Sequence, residues 1–379
     1  MEYTKIKEIN EYVAKSINPM KTPDEVFEMY SVPIYDTGHP EYLRGDEIAS
    51  NKMIVRKNDV LLCKINPRIN RVWVVQDESE YKNIASSEWI VVRNSYYNPE
   101  FLAWYFRNPK FKKLMTSEIT GIGGSLTRAQ PKAVAEYPVP VMKREEQDKI
   151  VKVLNIIDGV IKSRQQELLK LDELIKARFV EMFGDPVKNT MNWQCKSLND
   201  VCDGIGDGLH GTPEYDDNGE YPFINGNNLI DGHIIVTPVT KMVAEEIYRR
   251  HFINISTNAI LISINGTLGK LAFYNGEQIM LGKSACYCNL KQNINKVFVY
   301  GVMKSDAFAK FLDNSSTKST IKNVGLKAMR EYKLIQPPVE LQNQFAAFVA
   351  QIDKSKAVVQ KALDQAQILF DSLMQEYFG

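Results

Sequence analysis

The sequence predicts an α+β protein built from two similar halves, each a mixed α/β head followed by one long helix. Three observations lead to this prediction: an internal repeat, a heptad pattern inside each copy of the repeat, and short apolar segments separated by turn residues. A chain of 379 residues has room for two or three domains with large cores.

The repeat divides the chain into its two halves. Residues 132–184 recur at 327–379 with a constant offset of 195 and no gap. Residues identical in both copies include Lys132 and Lys327, Glu136 and Glu331, Gln147 and Gln342, Asp158 and Asp353, and Phe183 and Phe378. Chance is a poor explanation for a match of this length, so we interpret the two stretches as copies of one tail.

Both tails have the periodicity of a coiled-coil helix. In the first, apolar residues from Ile150 to Met182 alternate in steps of four and three, with Arg164 and Arg178 at two positions of the seam. The second tail keeps this register and departs from it at Lys356. A helix of about 40 residues with one apolar stripe needs a partner. We expect that partner to be the other tail; the alternative is that each helix packs on its own head.

Proline and glycine mark where the tails begin and end. The extended segments Pro138-Val139-Pro140 and Pro337-Pro338 precede the helical stretches, and Gly184-Asp185-Pro186 ends the first one. The predicted segments are a first head at 1–140, a central helix at 141–184, a second head at 185–336 and a C-terminal helix at 337–379.

Short strands are predicted in both heads. Runs rich in β-branched and large apolar residues flank the turns Asn66-Pro67 and Asn265-Gly266. The predicted strands are 60–65 and 72–75 in the first head and 259–264 and 271–274 in the second, with helical stretches near 99–117 and 296–312. Each head is therefore expected to hold a strand core and at least one helix.

Composition is that of an ordinary globular chain. Lys and Arg number 47 and Asp and Glu 46, so the net charge of +1 argues against binding to DNA by bulk charge alone. Five cysteines are too few and too odd a set for a secreted disulfide framework. No signal-peptide pattern is present and no window approaches about 18 uninterrupted apolar residues, so we expect a cytoplasmic protein.

The sequence offers no catalytic constellation. Gly206, Gly208 and Gly211 have the spacing of a dinucleotide-binding motif, but Thr212-Pro213 follows where a helix should begin. The four histidines are too dispersed for a zinc pair, and Cys286-x-Cys288 stands alone. We therefore expect no metal site and no catalysis by this chain alone.

Local charge favours a nucleic-acid partner. Four stretches contain several basic residues and no acid, two in each head: 60–76, 101–117, 278–305 and 314–330. Such residues neutralise phosphates when they meet on one face. The alternative is a set of solvated helix and loop surfaces.

The chain resembles the specificity subunit of type I DNA restriction-modification systems over essentially its whole length. Stretches similar to the family's central repeated region are Glu145-Glu146-Gln147, Leu171-Asp172-Glu173-Leu174-Ile175 and Phe183-Gly184-Asp185-Pro186. Stretches similar to recognition domains are Asp207-Gly208-Leu209-His210-Gly211-Thr212-Pro213 and Lys64-Ile65-Asn66-Pro67-Arg68-Ile69-Asn70-Arg71. The second tail departs from the family pattern because no Asp-Pro follows its Phe-Gly.

The resemblance implies two target-recognition domains in a pseudo-twofold arrangement, joined by two long helices that pair as an antiparallel coiled coil. Each domain would read one half of a bipartite double-stranded DNA target, and the helices would set the spacing and dock two copies of a DNA methyltransferase subunit. A restriction and translocase subunit would join the complex. S-adenosylmethionine would belong to the methyltransferase, so no cofactor is expected on this chain. The alternative function is a coiled-coil scaffold whose heads bind protein or single-stranded nucleic acid without sequence preference.

Candidate DNA contacts are basic and polar residues near the predicted turns and the acid-free stretches. They are Lys64, Arg68, Arg71, Lys112, Lys113 and Arg128 in the first head, and His210, Thr212, Asn225, Asn227, Asn228, Lys270, Lys283 and Lys322 in the second. For each of them the alternative is a structural role, as a turn-forming asparagine or a surface cation.

Overall fold

The computed structural model of the protein describes residues 2–76, 79–117, 119–120, 127–186 and 188–379. The chain forms two compact units, one made of Met1–Arg164 with Ala362–Gly379 and the other of Gln165–Lys361. Each unit therefore combines one head with a part of each long helix. Within the described ranges, no helix has both the length and the apolar character needed to cross a bilayer.

The first head consists of short strands and short helices. Its strands are β1 (Tyr3–Lys5), β2 (Ser16–Ile17), β3 (Val26–Tyr30), β4 (Glu41–Arg44), β5 (Lys52–Ile54), β6 (Val60–Cys63), β7 (Val72–Val74), β8 (Lys82–Ala85), β9 (Trp89–Val92), β10 (Ile119–Thr120), β11 (Arg128–Ala129) and β12 (Pro138–Pro140). Its helices are α1 (Ile6–Ile9), α2 (Pro99–Arg107), α3 (Pro109–Ser117) and α4 (Pro131–Val134), and the long helix α5 (Arg144–Phe183) follows β12.

Two sheets form the strand core of the first head. The larger has the order β2-β5-β8-β3-β4, and the smaller has the antiparallel order β7-β6-β9. In the larger sheet β3 and β8 run parallel and the other neighbours run antiparallel. The hairpin of β6 and β7 is buried along its length, which agrees with its run of valine and leucine and confirms the predicted strand pair.

The second head has the same kinds of element. Its strands are β13 (Cys195–Ser197), β14 (Cys202–Asp207), β15 (Tyr221–Ile224), β16 (Leu229–Ile230), β17 (His233–Ile234), β18 (Met242–Val243), β19 (Ala259–Ser263), β20 (Leu271–Tyr274), β21 (Met280–Leu281), β22 (Ala285–Leu290) and β23 (Lys333–Ile335). Its helices are α6 (Leu198–Val201), α7 (Glu245–Arg250), α8 (Lys296–Met303), α9 (Asp306–Ser315) and α10 (Leu326–Glu331), and the long helix α11 (Val339–Phe378) follows.

The sheets of the second head resemble those of the first. An antiparallel sheet has the order β14-β22-β19-β20, and a second sheet has the order β18-β15-β21 with β15 and β21 parallel. The hairpin of β19 and β20 confirms the second predicted strand pair. Each head is thus a mixed α/β domain, as expected from the sequence.

Both heads open with the same connection to the segment before the long helix. The Ile6 amide donates to the Tyr137 carbonyl oxygen (3.0 Å), and the Leu198 amide donates to that of Tyr332 (2.7 Å). Tyr137 and Tyr332 are a matched pair of the repeat. The internal similarity therefore extends from the tails into the heads.

The predicted helical stretches after the strands are each two helices rather than one. In the first head Asn108 separates α2 from α3, and its Oδ1 accepts a hydrogen bond from the Phe111 amide (2.9 Å). Pro109 has no amide hydrogen, so α2 cannot continue through it. In the second head Ser305 starts α9 by accepting a hydrogen bond from the Phe308 amide (3.4 Å).

In the second unit the end of α5 packs antiparallel to the start of α11. The rings of Phe179 and Phe345 lie 5.4 Å apart. Nearer the middle of both helices, Lys356 donates to Asp172 (2.7 Å) and forms an ion pair between the helices. The one interruption of the second seam is therefore a contact to the other helix.

In the first unit the start of α5 packs with the end of α11. Ile150 and Leu154 share an apolar cluster with Met374 and Phe378. The same cluster includes Phe101 of the head, whose ring lies 5.6 Å from that of Phe378. The helices thus pack on each other as well as on the head, which confirms the predicted pairing.

One position is filled differently in the two cores. Six residues beyond the asparagine that caps α2, Trp104 places its ring 5.5 Å from that of Phe370. The corresponding position in α8 is Gly301, where a Cβ would lie 2.8 Å from Cδ2 of Phe179. In the second tail Met374 stands where the first has Phe179. Trp104 thus shares its core with the smaller Met374, whereas Gly301 leaves room for the larger Phe179.

Candidate nucleic-acid interface

The turn between β19 and β20 in the second head is held by two other segments of the chain. The Gly266 amide donates to the carbonyl oxygen of Lys322 (2.9 Å), and the Val324 amide donates to that of Ile264 (2.9 Å). The Ile264 amide in turn donates to the Ser284 carbonyl oxygen (3.0 Å). Three segments that are distant in sequence therefore meet here, and the main chain fixes their placement.

The turn between β6 and β7 in the first head has the same bonds at corresponding residues. They run from Asn66 to Thr127 (2.8 Å), from Ala129 to Lys64 (2.8 Å) and from Lys64 to Glu88 (3.0 Å), with the amide donor named first. The partner segments 127–129 and 322–324 are related by the offset of the repeat. The main-chain bonds of 64–66 with 127–129 and of 264–266 with 322–324 are therefore equivalent, and we call this arrangement the shared backbone frame.

Both turns have left-handed backbone at two positions. The φ angle is 76° at Gly266 and 78° at Gly269, and 47° at Asn66 and 57° at Asn70. Glycine and asparagine adopt this conformation at the least cost. The two turns thus follow similar backbone courses with different side chains.

A second part of the shared frame lies at the ends of the parallel strands. The Ser86 amide donates to the Tyr30 carbonyl oxygen (3.1 Å), and the Gly282 amide donates to that of Ile224 (2.9 Å). Because both contacts follow a parallel strand pair, residues 86–88 of the first head correspond to 282–284 of the second. The main-chain frame is therefore the same and the residues on it differ.

In the second head this segment brings a lysine and a histidine to neighbouring positions. The Leu209 amide donates to the Leu281 carbonyl oxygen (2.8 Å), and the Lys283 amide donates to that of Leu209 (3.0 Å). His210 and Lys283 each follow a residue of the parallel bridge formed here by Leu209 and Gly282. Both side chains are exposed.

An acid positions His210. Its Nε2 lies 2.8 Å from Oδ2 of Asp207, whose side chain is only 16% exposed. This contact holds the imidazole ring close to the main chain that carries Lys283. Thr212, two residues after His210, is also exposed.

Two of the three candidate asparagines have structural roles. The Asn225 amide donates to Oδ1 of Asn228 (3.0 Å), and Nδ2 of Asn228 donates to the Ile235 carbonyl oxygen (2.9 Å). Oδ1 of Asn225 accepts a hydrogen bond from Ser284 (2.8 Å). Asn227 is exposed between them, so it is the asparagine best placed to contact a ligand.

A groove of about 450 Å³ lies between the β19–β20 turn and the start of α9. Lys304 and Lys322 contribute to its lining, and each pairs with an acid, Asp231 (3.2 Å) and Asp313 respectively. Lys270 is half-buried at the end of the turn. Part of the positive charge predicted for this stretch is therefore balanced within the head.

The β6–β7 turn gathers four candidate cations, Lys64, Arg68, Arg71 and Arg128. Arg68 is exposed and Lys64 is half-buried. Arg128 pairs with Glu88, with 3.2 Å between Nε and Oε2. Arg68 is therefore the cation of this turn with the greatest access to solvent.

Arg71 lies deeper than a base-reading residue at a loop tip would. Its Nε is buried and has no hydrogen-bond partner among the residues that the structure describes. Burial raises the pKa of the Cys63 thiol, and the neighbouring Arg71 opposes that shift. The role of Arg71 in base recognition stays a prediction.

Lys112 and Lys113 are exposed on α3. Across the described side chains, no hydrogen bond or ion pair links either of them to the β6–β7 turn. The structure thus gathers most of the candidates around the two frames and leaves these two lysines on a separate helix.

The contact between each head and its long helix was not predicted from the sequence. The amide of Asn98, which caps α2, donates to Oε1 of Gln147 (2.8 Å). The amide of Asn295 donates to Oε1 of Gln342 in the same way (3.0 Å). The sequence signal for this contact was the recurrence of these glutamines at matched positions of the repeat.

No three His, Cys, Asp or Glu side chains in the described ranges are grouped so that they could hold a metal ion. Cys202, Cys286 and Cys288 are buried in the second head and form no disulfide. Hydrogen bonding to Cys202 and Cys286, together with burial, holds the pKa of the Cys288 thiol well above its ordinary value. Cys288 is therefore a neutral thiol of the core.

Known protein families and solved structures include proteins that are similar to this chain. Residues 191–367 match the family described as the type I restriction modification DNA specificity domain. A chain from a structure of type I R-M system complex assembly is 18% identical, with 100% of this chain and 97% of that chain covered and a TM-score of 0.59. The S subunit of the type I restriction-modification system from M. genitalium is 12% identical, with coverage of 100% and 96% and a TM-score of 0.58.

The two structural similarities show the fold over the whole chain, and the family match covers most of its second half. The matched range contains the β19–β20 turn, His210 and Lys283. Residues 191–367 are therefore similar to the family of the type I restriction modification DNA specificity domain, and the resemblance seen in the sequence is confirmed for this part of the chain.

Proposed function

We propose that this protein is the DNA-reading subunit of a type I restriction-modification complex, and that each head binds one half of a bipartite double-stranded DNA target. The observation that carries the proposal is the shared backbone frame of the two heads. The frame holds two turns by the same main-chain bonds while the side chains on it differ. Two readers of this kind on one scaffold suit a target made of two different short sequences.

Base recognition is assigned to the exposed side chains on the frame. These are Arg68 in the first head and His210, Asn227 and Lys283 in the second. Lysine and arginine suit guanine, and asparagine suits adenine, in the major groove. Lys112 and Lys113 are assigned to phosphate contacts, which position the DNA without reading its sequence.

The long helices are proposed to set the gap between the two half-sites and to dock two methyltransferase subunits. Apolar side chains outside the seam are exposed on both helices: Ile156, Val160, Leu169, Leu174, Val180, Val358, Ile368 and Leu369. Exposed apolar residues in this number support a partner that covers them. A restriction and translocase subunit would complete the assembly.

Catalysis is assigned to the partners. The adenine methyltransferase would bring S-adenosylmethionine, and this chain would contribute DNA recognition without a cofactor of its own. The division of labour is supported by the family match, which is to a DNA specificity domain.

Mapping of methylation tests the proposed function. The full chain is produced with the methyltransferase subunit of its own genome, and adenine methylation is mapped on plasmids that carry random sequence. We expect one split motif with two defined halves and a fixed gap. Methylation without a split motif, or its persistence when this chain is omitted, would overturn the proposal in favour of a scaffold.

A further inference from the structure

A buried glutamine joins the start of each long helix to its head. Gln147 is 0% exposed and Gln342 is 2% exposed. Oε1 of Gln147 accepts a hydrogen bond from the Asn98 amide (2.8 Å), and its Nε2 donates to the Met142 carbonyl oxygen (2.8 Å). The Gln147 side chain therefore links α5 to Asn98, which caps α2, and to Met142 in the segment that precedes α5.

The second unit repeats this arrangement atom for atom. Oε1 of Gln342 accepts a hydrogen bond from the Asn295 amide (3.0 Å), and its Nε2 donates to the Pro337 carbonyl oxygen (2.9 Å). A buried amide is costly unless both of its ends are bonded. Its presence at the same place in both units argues for a role that an apolar residue would not fill.

An exposed contact reinforces each glutamine. Nδ2 of Asn98 donates to Oδ1 of Asp148 (2.6 Å), and Nδ2 of Asn295 donates to Oδ1 of Asn343 (2.8 Å). The same asparagines cap α2 and α8 through their Oδ1 atoms. Because two different atoms of each asparagine bond to neighbouring residues of the long helix, they restrain rotation of the head helix as well as its distance from the long helix.

We propose that Gln147 and Gln342 are positioning residues that fix the orientation of each DNA-reading head on its long helix and so restrict the gap between the half-sites. The inference rests on the proposed function. It assigns gap selection to the joints between head and helix, in addition to the length of the helices. The glutamines touch no DNA; they act through Asn98 and Asn295.

The test compares gap preference with base preference. The full chain and its methyltransferase subunit are assayed on DNAs that share both half-sites and differ by one base pair in gap length. We expect Gln147→Met and Gln342→Met each to lower the ratio of methylation at the native gap to methylation at the neighbouring gaps by about tenfold, the effect of losing the one hydrogen bond that joins each glutamine to its head. Base preference within each half-site should not change.

Gln166→Met is the matched control, because Gln166 is an exposed glutamine of the same helix. We expect it to keep the wild-type gap ratio. If a glutamine variant does not fold, Asp148→Ala and Asn343→Ala remove the exposed part of each joint instead, and we expect a fall of about two- to threefold.

The outcomes separate the inference from the proposed function. A wild-type complex with no bipartite motif would overturn the proposed function. A wild-type complex with a fixed gap, together with folded variants that keep its gap ratio, would overturn the inference alone. A lower thermal stability without a change in gap ratio would likewise mean that the glutamines only stabilise the fold.

Discussion

The two heads hold their turns with the same main-chain bonds and expose different residues on them. Where the first head has Ser87 and Glu88, the second has Lys283 and Ser284. Glu88 pairs with Arg128 inside the first head, whereas Lys283 is exposed. The comparison shows that the backbone frame is preserved by main-chain hydrogen bonds that any residue except proline can donate, so that the side chains are free to differ.

The largest expected effect tests whether the two heads work at a fixed separation. Removing one heptad from each helix, residues 165–171 and 360–366, keeps the apolar seam in register and shortens each helix by about 10 Å. The fold should survive, and the preferred gap should shorten by about 3 base pairs at ~3.4 Å per base pair. Methylation of DNAs that differ in gap length measures the shift.

A smaller deletion serves as the control for the heptad. Removing two residues from each helix turns the seam by about 200° and should give unassembled protein. An unchanged gap preference in a folded heptad-deleted protein would show that the helices do not set the spacing.

Exchange of one head tests whether the two heads read independently. Replacing residues 1–137 with the equivalent head of a related subunit should change one half of the methylated motif and leave the other half intact. The measurement is methylation mapping of the hybrid. A change in both halves, or in neither, would contradict independent reading by heads that share a frame.

A matched pair of substitutions directly tests the difference between the side chains on the two frames. Lys283→Ala should cost about 1 to 3 kcal/mol of binding free energy at the second half-site, because an exposed lysine contact is lost. Ser87→Ala at the corresponding position should stay within about 0.5 kcal/mol at the first. Binding of DNAs with one half-site altered measures both, and equal effects would remove the proposed asymmetry.

The lysines outside the frame should act without regard to sequence. Replacing Lys112 and Lys113 with Ala should weaken binding to all DNAs and lower the slope of the logarithm of affinity against that of salt concentration by about 1 to 2. Titration at several salt concentrations measures the slope. Loss confined to one motif would move these lysines to the base-reading class.

The smallest expected effect concerns the backbone of the turns. Gly269→Val should lower the free energy of unfolding by about 1 to 3 kcal/mol, because a β-branched residue is strained at a φ of 78°. Gly269→Asn should cost less than about 1 kcal/mol, since Asn70 adopts this conformation in the first head. Gly204→Val is the control, because Gly204 lies in β14 without a left-handed φ and a Cβ there would meet only Nδ2 of Asn289 at 4.0 Å. Urea unfolding distinguishes the three variants.

The features predicted from the sequence are those with a period or a copy. The seam of the long helices follows from residues spaced by three and four, and the two buried hairpins follow from apolar runs around turn residues. Pro109 was a local signal for the break between α2 and α3, and the prediction of a single helical stretch over 99–117 did not take it into account. Local patterns therefore located the main elements but did not show where a predicted helical stretch divides into two helices.

The features that escaped prediction join residues far apart in the chain. The pairing of Arg128 with Glu88 and of Lys322 with Asp313 depends on how the strands and loops come together. A stretch free of acids in sequence can still meet an acid in space. For this reason the acid-free stretches overstated the free positive charge of the candidate interface.

The size match at Trp104 and Gly301 has a consequence for how such a gene can change. Copying the first tail over the second would place Phe where Met374 now shares a core with Trp104, and the enlarged side chain would overpack that core. The reverse copy would place Met where Phe179 packs against Gly301 and leave a void. Homogenisation of the repeats by gene conversion is therefore penalised in both directions, and the two copies are expected to stay distinct as they evolve.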